Sequence, residues 1–232
     1  MNYGRSENIR KVQVIAVFVV AAACLVTTAV ATGHVFAIDD SMLLLLRKTA
    51  DTREPVGPHW LLNAFENYTS LGSSAVTGLV LAIGIFWAIA EREYRSGVYM
   101  AVVYAGAQLL SNVTKILIGR PRPEVVPHLV YAGGYSFPSG HSTLSAATYL
   151  AIGLLVAGRE CSVSKRMLIL SVAAAISAVV GLSRIYLGVH YPTDVLDGWL
   201  LGAGWALVVL VFFRKIQRGR FGGHVKGRNE EG

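Results

Sequence analysis

His190 and Asp194 stand four positions apart in Ser183-Arg184-Ile185-Tyr186-Leu187-Gly188-Val189-His190-Tyr191-Pro192-Thr193-Asp194, a polar island between two long apolar runs. Pro192 suits the first position of a helix, where its missing N–H costs nothing, so His190 falls just before that helix and Asp194 at its third residue. A carboxylate there can reach back to the His190 ring. If it accepts the Nδ1 proton, it fixes the tautomer and leaves Nε2 unprotonated and electron-rich, which is the chemistry of a prepared nucleophile. Arg184, six positions upstream, brings a forked cation suited to an anionic substrate beside the same ring.

Two further clusters fit the same chemistry. In Pro138-Ser139-Gly140-His141, Ser139 can cap a helix, Gly140 lets a ligand approach the backbone, and the free N–H groups of the helix start favour an anion on which His141 would lie. His141 has no carboxylate in view, so it suits a proton donor where His190 suits a nucleophile. Upstream, Lys115 is followed seven positions later by Arg122 and then Pro123. Each cluster alone has a plainer reading: Lys115 as a lysine snorkelling to the membrane interface, the tetrapeptide as a capped helix with an incidental histidine.

The elements that must carry these residues are membrane spans. The 232 residues are 53% hydrophobic and only 15% charged, well below the roughly 25% charged fraction of soluble domains. Apolar runs of bilayer-spanning length recur at about 12–32, 73–90, 97–118, 138–157, 166–182 and 192–213. We therefore expect an all-α fold, a six-transmembrane-helix bundle forming a single domain over 1–232, with its core at about 12–213 and a disordered basic tail at 214–232. The first outer loop, 33–72, contains Met42-Leu43-Leu44-Leu45-Leu46, too short to span. It reads as an interfacial helix, capped by Asp39-Asp40-Ser41 and closed by Arg47-Lys48. The first apolar run exceeds a signal-peptide core in length and is expected to stay as an anchor. Cys24 and Cys161 have no metal-ligand spacing, and neither a disulfide framework nor a zinc site is expected.

A net charge of +7 would suggest nucleic acid in a soluble protein, but here Lys and Arg cluster beside apolar runs and act as orientation signals. Fourteen of the 21 basic residues fall on the side of the two termini, in 1–11, 91–95, 159–166 and the tail. Four of the remaining seven, Lys115, Arg120, Arg122 and Arg184, belong to or border the polar clusters. This asymmetry predicts cytoplasmic termini, with all three polar clusters facing the exterior or periplasm of a cell membrane.

Lys115-x6-Arg122-Pro123, Pro138-Ser139-Gly140-His141 and Ser183-Arg184-x5-His190-x3-Asp194 together resemble the three-part signature of the type-2 phosphatidic acid phosphatases, the lipid phosphate phosphatases. No signature position is missing. The motifs span 115–194, and the six-span layout with its long first outer loop is similar to the membrane members. The resemblance implies that His190 attacks phosphorus to give a phosphohistidine, Asp194 orients its ring, and His141 protonates the leaving oxygen. Lys115, Arg122, Arg184, Ser139 and Gly140 would hold the phosphoryl oxygens, with no cofactor and no metal, because three cations supply the charge a metal would. Arg120 lies outside the signature and reads as a phosphate or headgroup contact.

The expected activity is hydrolysis of a lipid phosphate or diphosphate at the bilayer surface. Candidate substrates are undecaprenyl diphosphate, phosphatidic acid, phosphatidylglycerol phosphate and lipid A phosphates. Six compact spans without an added headgroup-binding domain favour a prenyl diphosphate, with Arg53, His59, Trp60 and His128 as candidate headgroup contacts. A phosphotransferase on the same scaffold is the alternative. A transporter would show broken helices and mid-span charges, whereas the cations here lie at span ends.

Overall fold

Long apolar runs become helices because lipid offers no partner to backbone N–H and C=O groups, which a helix pairs internally. A computed structural model describes residues 3–34 and 36–226. Its elements in chain order are α1 (Tyr3–Ala31), α2 (Ala37–Leu45), β1 (Arg47–Lys48), β2 (Asp51–Pro55), α3 (His59–Thr69), a 3-10 turn at Ser70–Gly72, α4 (Ser74–Ala90), α5 (Tyr94–Ile118), α6 (Gly140–Ala157), α7 (Val163–Tyr186) and α8 (Pro192–Lys226).

The protein is a mostly helical, multi-pass membrane protein. Among the described residues, five helical segments are long and apolar enough to cross a bilayer: Ile9–Ala31, Tyr94–Ile118, Gly140–Ala157, Val163–Tyr186 and Pro192–Ile216. A sixth span arises if His59–Gly72 and Ser74–Ala90, which meet at a 51° bend, count together. Ser73 marks that bend because its hydroxyl caps α4, accepting from Val76 N at 3.2 Å. Large apolar side chains stay exposed along the helices, among them Phe18, Leu25, Phe86, Ile116 and Leu117, as expected of surfaces that meet lipid rather than water.

Where α6 and α8 cross, side-chain size decides the geometry. A Cβ placed on Gly202 would lie 2.2 Å from Thr143 O, and one on Gly198 would lie 2.7 Å from Ser139 O. Only glycine allows this approach, the small-residue packing common between membrane helices. It brings the first turn of α8 against the first turn of α6, and Ser139 N donates to Asp194 O at 2.9 Å. Below that contact Tyr99, Met100, Val103, Leu144, Ala147, Ala206 and Leu210 form the core shared by α5, α6 and α8.

The segment between α1 and α4 folds over the bundle end. Its hairpin is antiparallel, pairing Arg47 with Pro55 and Lys48 with Asp51. Arg47 is buried and donates to Tyr186 O at 2.9 Å and Pro127 O at 3.4 Å, so a cation closes the carbonyl end of α7.

Three local expectations are corrected. The short outer helix begins at Ala37, preceded by Phe36 rather than capped by Asp39, and Arg47-Lys48 leave it as a strand; the Asp39 carboxylate is committed to distant partners instead. α7 runs on to Tyr186, past the expected end of its apolar run at 182, and carries Arg184 in its last turn. The segment expected as a disordered tail is helical to Lys226, continuing a helix already nucleated within the apolar run. Residues 227–232 lie outside the described residues.

Candidate active site

Each cluster sits at a helix end for a local reason. Gly119 takes a left-handed conformation (φ 64°) and stops α5, leaving Lys115 in its last turn. Ser139 caps α6, its hydroxyl oxygen accepting from Ser142 N at 3.4 Å and from Ser142 Oγ at 3.0 Å. Pro192 opens α8, so Asp194 is its third residue.

The expected reach of Asp194 towards His190 is present. Asp194 Oδ2 lies 3.4 Å from His190 Nδ1 and accepts the Tyr191 N–H at 2.9 Å. Arg122 Nη1 lies 3.2 Å from His190 Nε2. A guanidinium can only donate, so this contact requires a lone pair on Nε2 and a proton on Nδ1 facing the carboxylate. His190 is 2% exposed. Burial pushes its pKa down to about 3, the nearby Arg184 and Arg122 acting the same way and the hydrogen bond to Asp194 opposing them. The ring is neutral at physiological pH.

The cations are fixed as well as gathered. Lys115 Nζ donates to the carbonyls of Pro138 (2.6 Å), Tyr135 (2.9 Å) and Ser136 (3.3 Å). Arg122 donates to Val189 O at 2.7 Å, Gly133 O at 2.8 Å and Gly134 O at 3.1 Å. These bonds shape the 120–137 loop around the site. Arg184 is buried and donates to Thr69 Oγ1 at 2.9 Å, while its Nε has no partner. His141, the second residue of α6, lies near Arg184, Arg122, Lys115 and His190. A Cβ on Gly140 would lie 3.8 Å from Lys115 Cε and 3.7 Å from Ser111 Oγ, in ordinary contact with both, so the helix start faces these two side chains. Ser111 Oγ is itself buried without a partner. Two buried donors left unpaired beside converging cations suit an anion.

The structure thus brings Lys115, Arg122, Ser139, Gly140, His141, Arg184, His190 and Asp194 to one end of the bundle. Arg120 departs from the sequence reading. Its Nη1 donates to Asp194 Oδ1 at 2.7 Å and to Thr193 Oγ1 at 2.8 Å, and its Nη2 donates to Asp39 Oδ2 at 2.7 Å. It is engaged by carboxylates, not held ready for phosphate. These carboxylates raise its pKa despite the opposing effect of burial.

Sequence reasoning missed three partners. Ser136 Oγ donates to Asp194 Oδ2 in a short hydrogen bond. Thr69 holds Arg184. Asp39, 2% exposed, accepts from Thr193 N at 3.0 Å as well as from Arg120. A signal existed only for Asp39, an acid within an apolar outer helix that must be paired if buried. Of the candidate headgroup contacts, Arg53 is clasped by Asp51 at 2.9 Å and the His128 ring meets Pro123 O at 2.8 Å. His59 and Trp60 are exposed at the start of α3.

Fold and site together define a multi-pass helical membrane enzyme of phosphate-ester chemistry. Residues 96–218 match the PAP2 superfamily, and the chain belongs to that superfamily. It is 36% identical to phosphatidylglycerophosphatase B of Bacillus subtilis (strain 168) over 165 residues, 69% of this chain and 79% of that one. It is 32% identical over 120 residues to the undecaprenyl-diphosphatase of Sulfolobus acidocaldarius, 50% of this chain and 54% of that one. The crystal structure of a transmembrane PAP2-type phosphatidylglycerolphosphate phosphatase from Bacillus subtilis superposes with a TM-score of 0.72 at 31% identity, covering 87% of this chain and 96% of that one.

Proposed function

We propose that the chain is a lipid phosphatase working through a phosphohistidine on His190. The observation that carries this reading is the double hold on one ring: Asp194 on Nδ1 and Arg122 on Nε2. In the first step Nε2 attacks phosphorus, a P–N bond forms, the bond to the lipid oxygen breaks, and that oxygen takes a proton from His141. In the second, His141 removes a proton from water, the hydroxide attacks phosphorus, and the P–N bond breaks to release phosphate and His190. Lys115, Arg122 and Arg184 hold the equatorial oxygens, with Ser139, the Gly140 N–H and Ser111 as further donors. A phosphate dianion among these cations favours the protonated form of His141. Arg120 and Asp39 act behind Asp194 and do not touch the phosphate. Among the described residues, no three His, Cys, Asp or Glu converge as a metal cage.

The chain reads as one membrane domain of six spans, the bent α3–α4 pair supplying the second and α2 lying at the interface. The asymmetry of Lys and Arg supports cytoplasmic termini and an outward-facing site. Phosphatidylglycerol phosphate is the leading substrate, supported by likeness to phosphatidylglycerophosphatase B over 79% of that protein's length. A prenyl diphosphate is the second reading, supported by the shorter match to an undecaprenyl-diphosphatase.

The test combines a lipid panel with a trapped intermediate. Purified protein is offered phosphatidylglycerol phosphate, undecaprenyl diphosphate, phosphatidic acid and lipid A, with and without an acceptor lipid, and free phosphate is measured. Phosphatidylglycerol phosphate should be preferred, with release into water independent of the acceptor; a clear preference for the prenyl diphosphate reverses the order. In rapidly quenched turnover of the unsubstituted protein, acid-labile phosphate should be found on His190. Label on another residue, or full activity in His190→Ala, overturns the mechanism.

A further inference from the structure

A cavity with a charged rim lies at the opposite end of the bundle from His190. It occupies about 640 Å3 between the α4–α5 turn, the end of α6 and the later part of α8. The catalytic clusters sit at the other ends of the same helices. α6 has 18 residues, and at 1.5 Å per residue about 27 Å of helix separates the two.

The rim of this cavity is cationic. Arg92, Arg95, Arg159 and Arg214 line it, with Glu93 as the one acidic residue of the lining. Glu93 lies 3.8 Å from Arg159, whose guanidinium also stacks over Trp87 at 4.5 Å. Among the described residues, no carboxylate forms an ion pair with Arg92, Arg95 or Arg214. Orientation signals need only lie near span ends; they need not converge on one concavity. The floor is apolar: Leu154, Leu210 and Phe213 line it together with Tyr99, whose ring packs edge-on against Phe213 at 5.8 Å. The Tyr99 hydroxyl is already used, donating to Ala206 O at 3.1 Å.

We propose that this cavity binds the phosphate headgroup of an anionic glycerophospholipid in the leaflet on the side of the termini, a site separate from the catalytic centre. The guanidinium rim matches the phosphate, since Arg presents a planar fork that pairs phosphate oxygens two at a time. The apolar floor matches the upper acyl chain, which a free phosphate ion does not possess. The site rests on the fold and does not depend on which lipid is hydrolysed at His190. Its occupant steadies the junction of α5, α6 and α8 by bridging three elements that otherwise present like charges to one another.

The test is thermal unfolding of the purified full chain in a neutral detergent, with phosphatidylglycerol, phosphatidylcholine or inorganic phosphate added. Phosphatidylglycerol at about ten times its dissociation constant should raise the midpoint by roughly 3–6 °C for a chain of this size, and the other two should not. Arg95→Gln combined with Arg159→Gln should lose that shift while keeping wild-type phosphate release from a short-chain substrate, which shows that it folds. Arg214→Gln provides a second removal of the rim. Arg122→Gln, which removes one of the cations around the catalytic phosphate, should keep the shift, which separates this cavity from the catalytic pocket. An equal shift in the wild type and both rim variants overturns the proposal, as does a shift lost in Arg122→Gln. An equal shift with inorganic phosphate that the rim variants abolish overturns the lipid assignment in favour of the free anion.

Discussion

Asp39 and Asp194 share the two arms of one guanidinium: Arg120 donates to each of them at 2.7 Å. One carboxylate belongs to the first outer helix, the other to the candidate catalytic dyad, and both are almost fully buried. Two buried carboxylates tolerate each other only with a cation between them. The outer helix therefore bears on His190 through Asp39, Arg120 and Asp194.

Asp39→Asn keeps the shape of the side chain and removes its charge, so it tests this coupling. We expect kcat to fall on the order of 10-fold or more, the scale typical of partners that orient a reacting group. KM for a short-chain substrate should hold, and Asp39→Glu should recover part of the rate. Steady-state kinetics on the purified variants decide the point. An increased KM at unchanged kcat would place Asp39 in substrate binding instead.

The His190 ring should titrate far below an ordinary histidine. Its pKa near 3 compares with about 6.5 in an unfolded chain, so below pH 6.5 the unfolded state binds the proton that the folded state refuses. This group therefore costs stability progressively as pH falls from about 6.5 towards 3 and costs nothing above that window. Nitrogen-15 NMR of histidine-labelled protein should report a neutral ring protonated on Nδ1 at pH 5. A titration midpoint near 6.5 contradicts the arrangement.

Gly202 should accept no side chain. A Cβ there meets Thr143 O at 2.2 Å, and overpacking of this kind typically costs about 1–3 kcal/mol. Gly202→Ala should lower the unfolding midpoint in detergent. It should also reduce activity, since the same contact sets Asp194 beside Ser139. A variant with wild-type midpoint and rate would show that α6 and α8 are not so closely joined.

Three cations around the phosphate site predict activity that survives chelation. Phosphate release should be unchanged in excess EDTA, and vanadate should inhibit because it can adopt the five-coordinate shape of the phosphoryl transition state. Activity lost to chelator and restored by magnesium would instead assign the charge to a metal.

The side of the membrane is open to direct measurement. Reporter fusions following the tail should report a cytoplasmic C-terminus, and a cysteine placed at the exposed Tyr131 should react with an impermeant reagent on intact cells. The reverse pattern would turn the active site inward.

Much of the molecule was legible in the sequence because its determinants are local. Hydropathy runs mark spans since a bilayer admits little else, and Pro192 and Ser139 mark helix ends through their own backbone chemistry. Four-residue spacing from a loop into a first helical turn was enough to predict that Asp194 meets His190. Pairings across the chain were not legible. Nothing near Arg120 indicates that it turns from phosphate to Asp39 and Asp194, nothing near Thr69 that it holds Arg184, and nothing near Ser136 that its hydroxyl reaches Asp194. Those bonds exist because α6 and α8 meet at glycine distance and the outer segment folds back over their ends. Residues far apart in sequence become neighbours only when helices pack, and the partner that a buried charge must find is decided there, by the cost of leaving it without one.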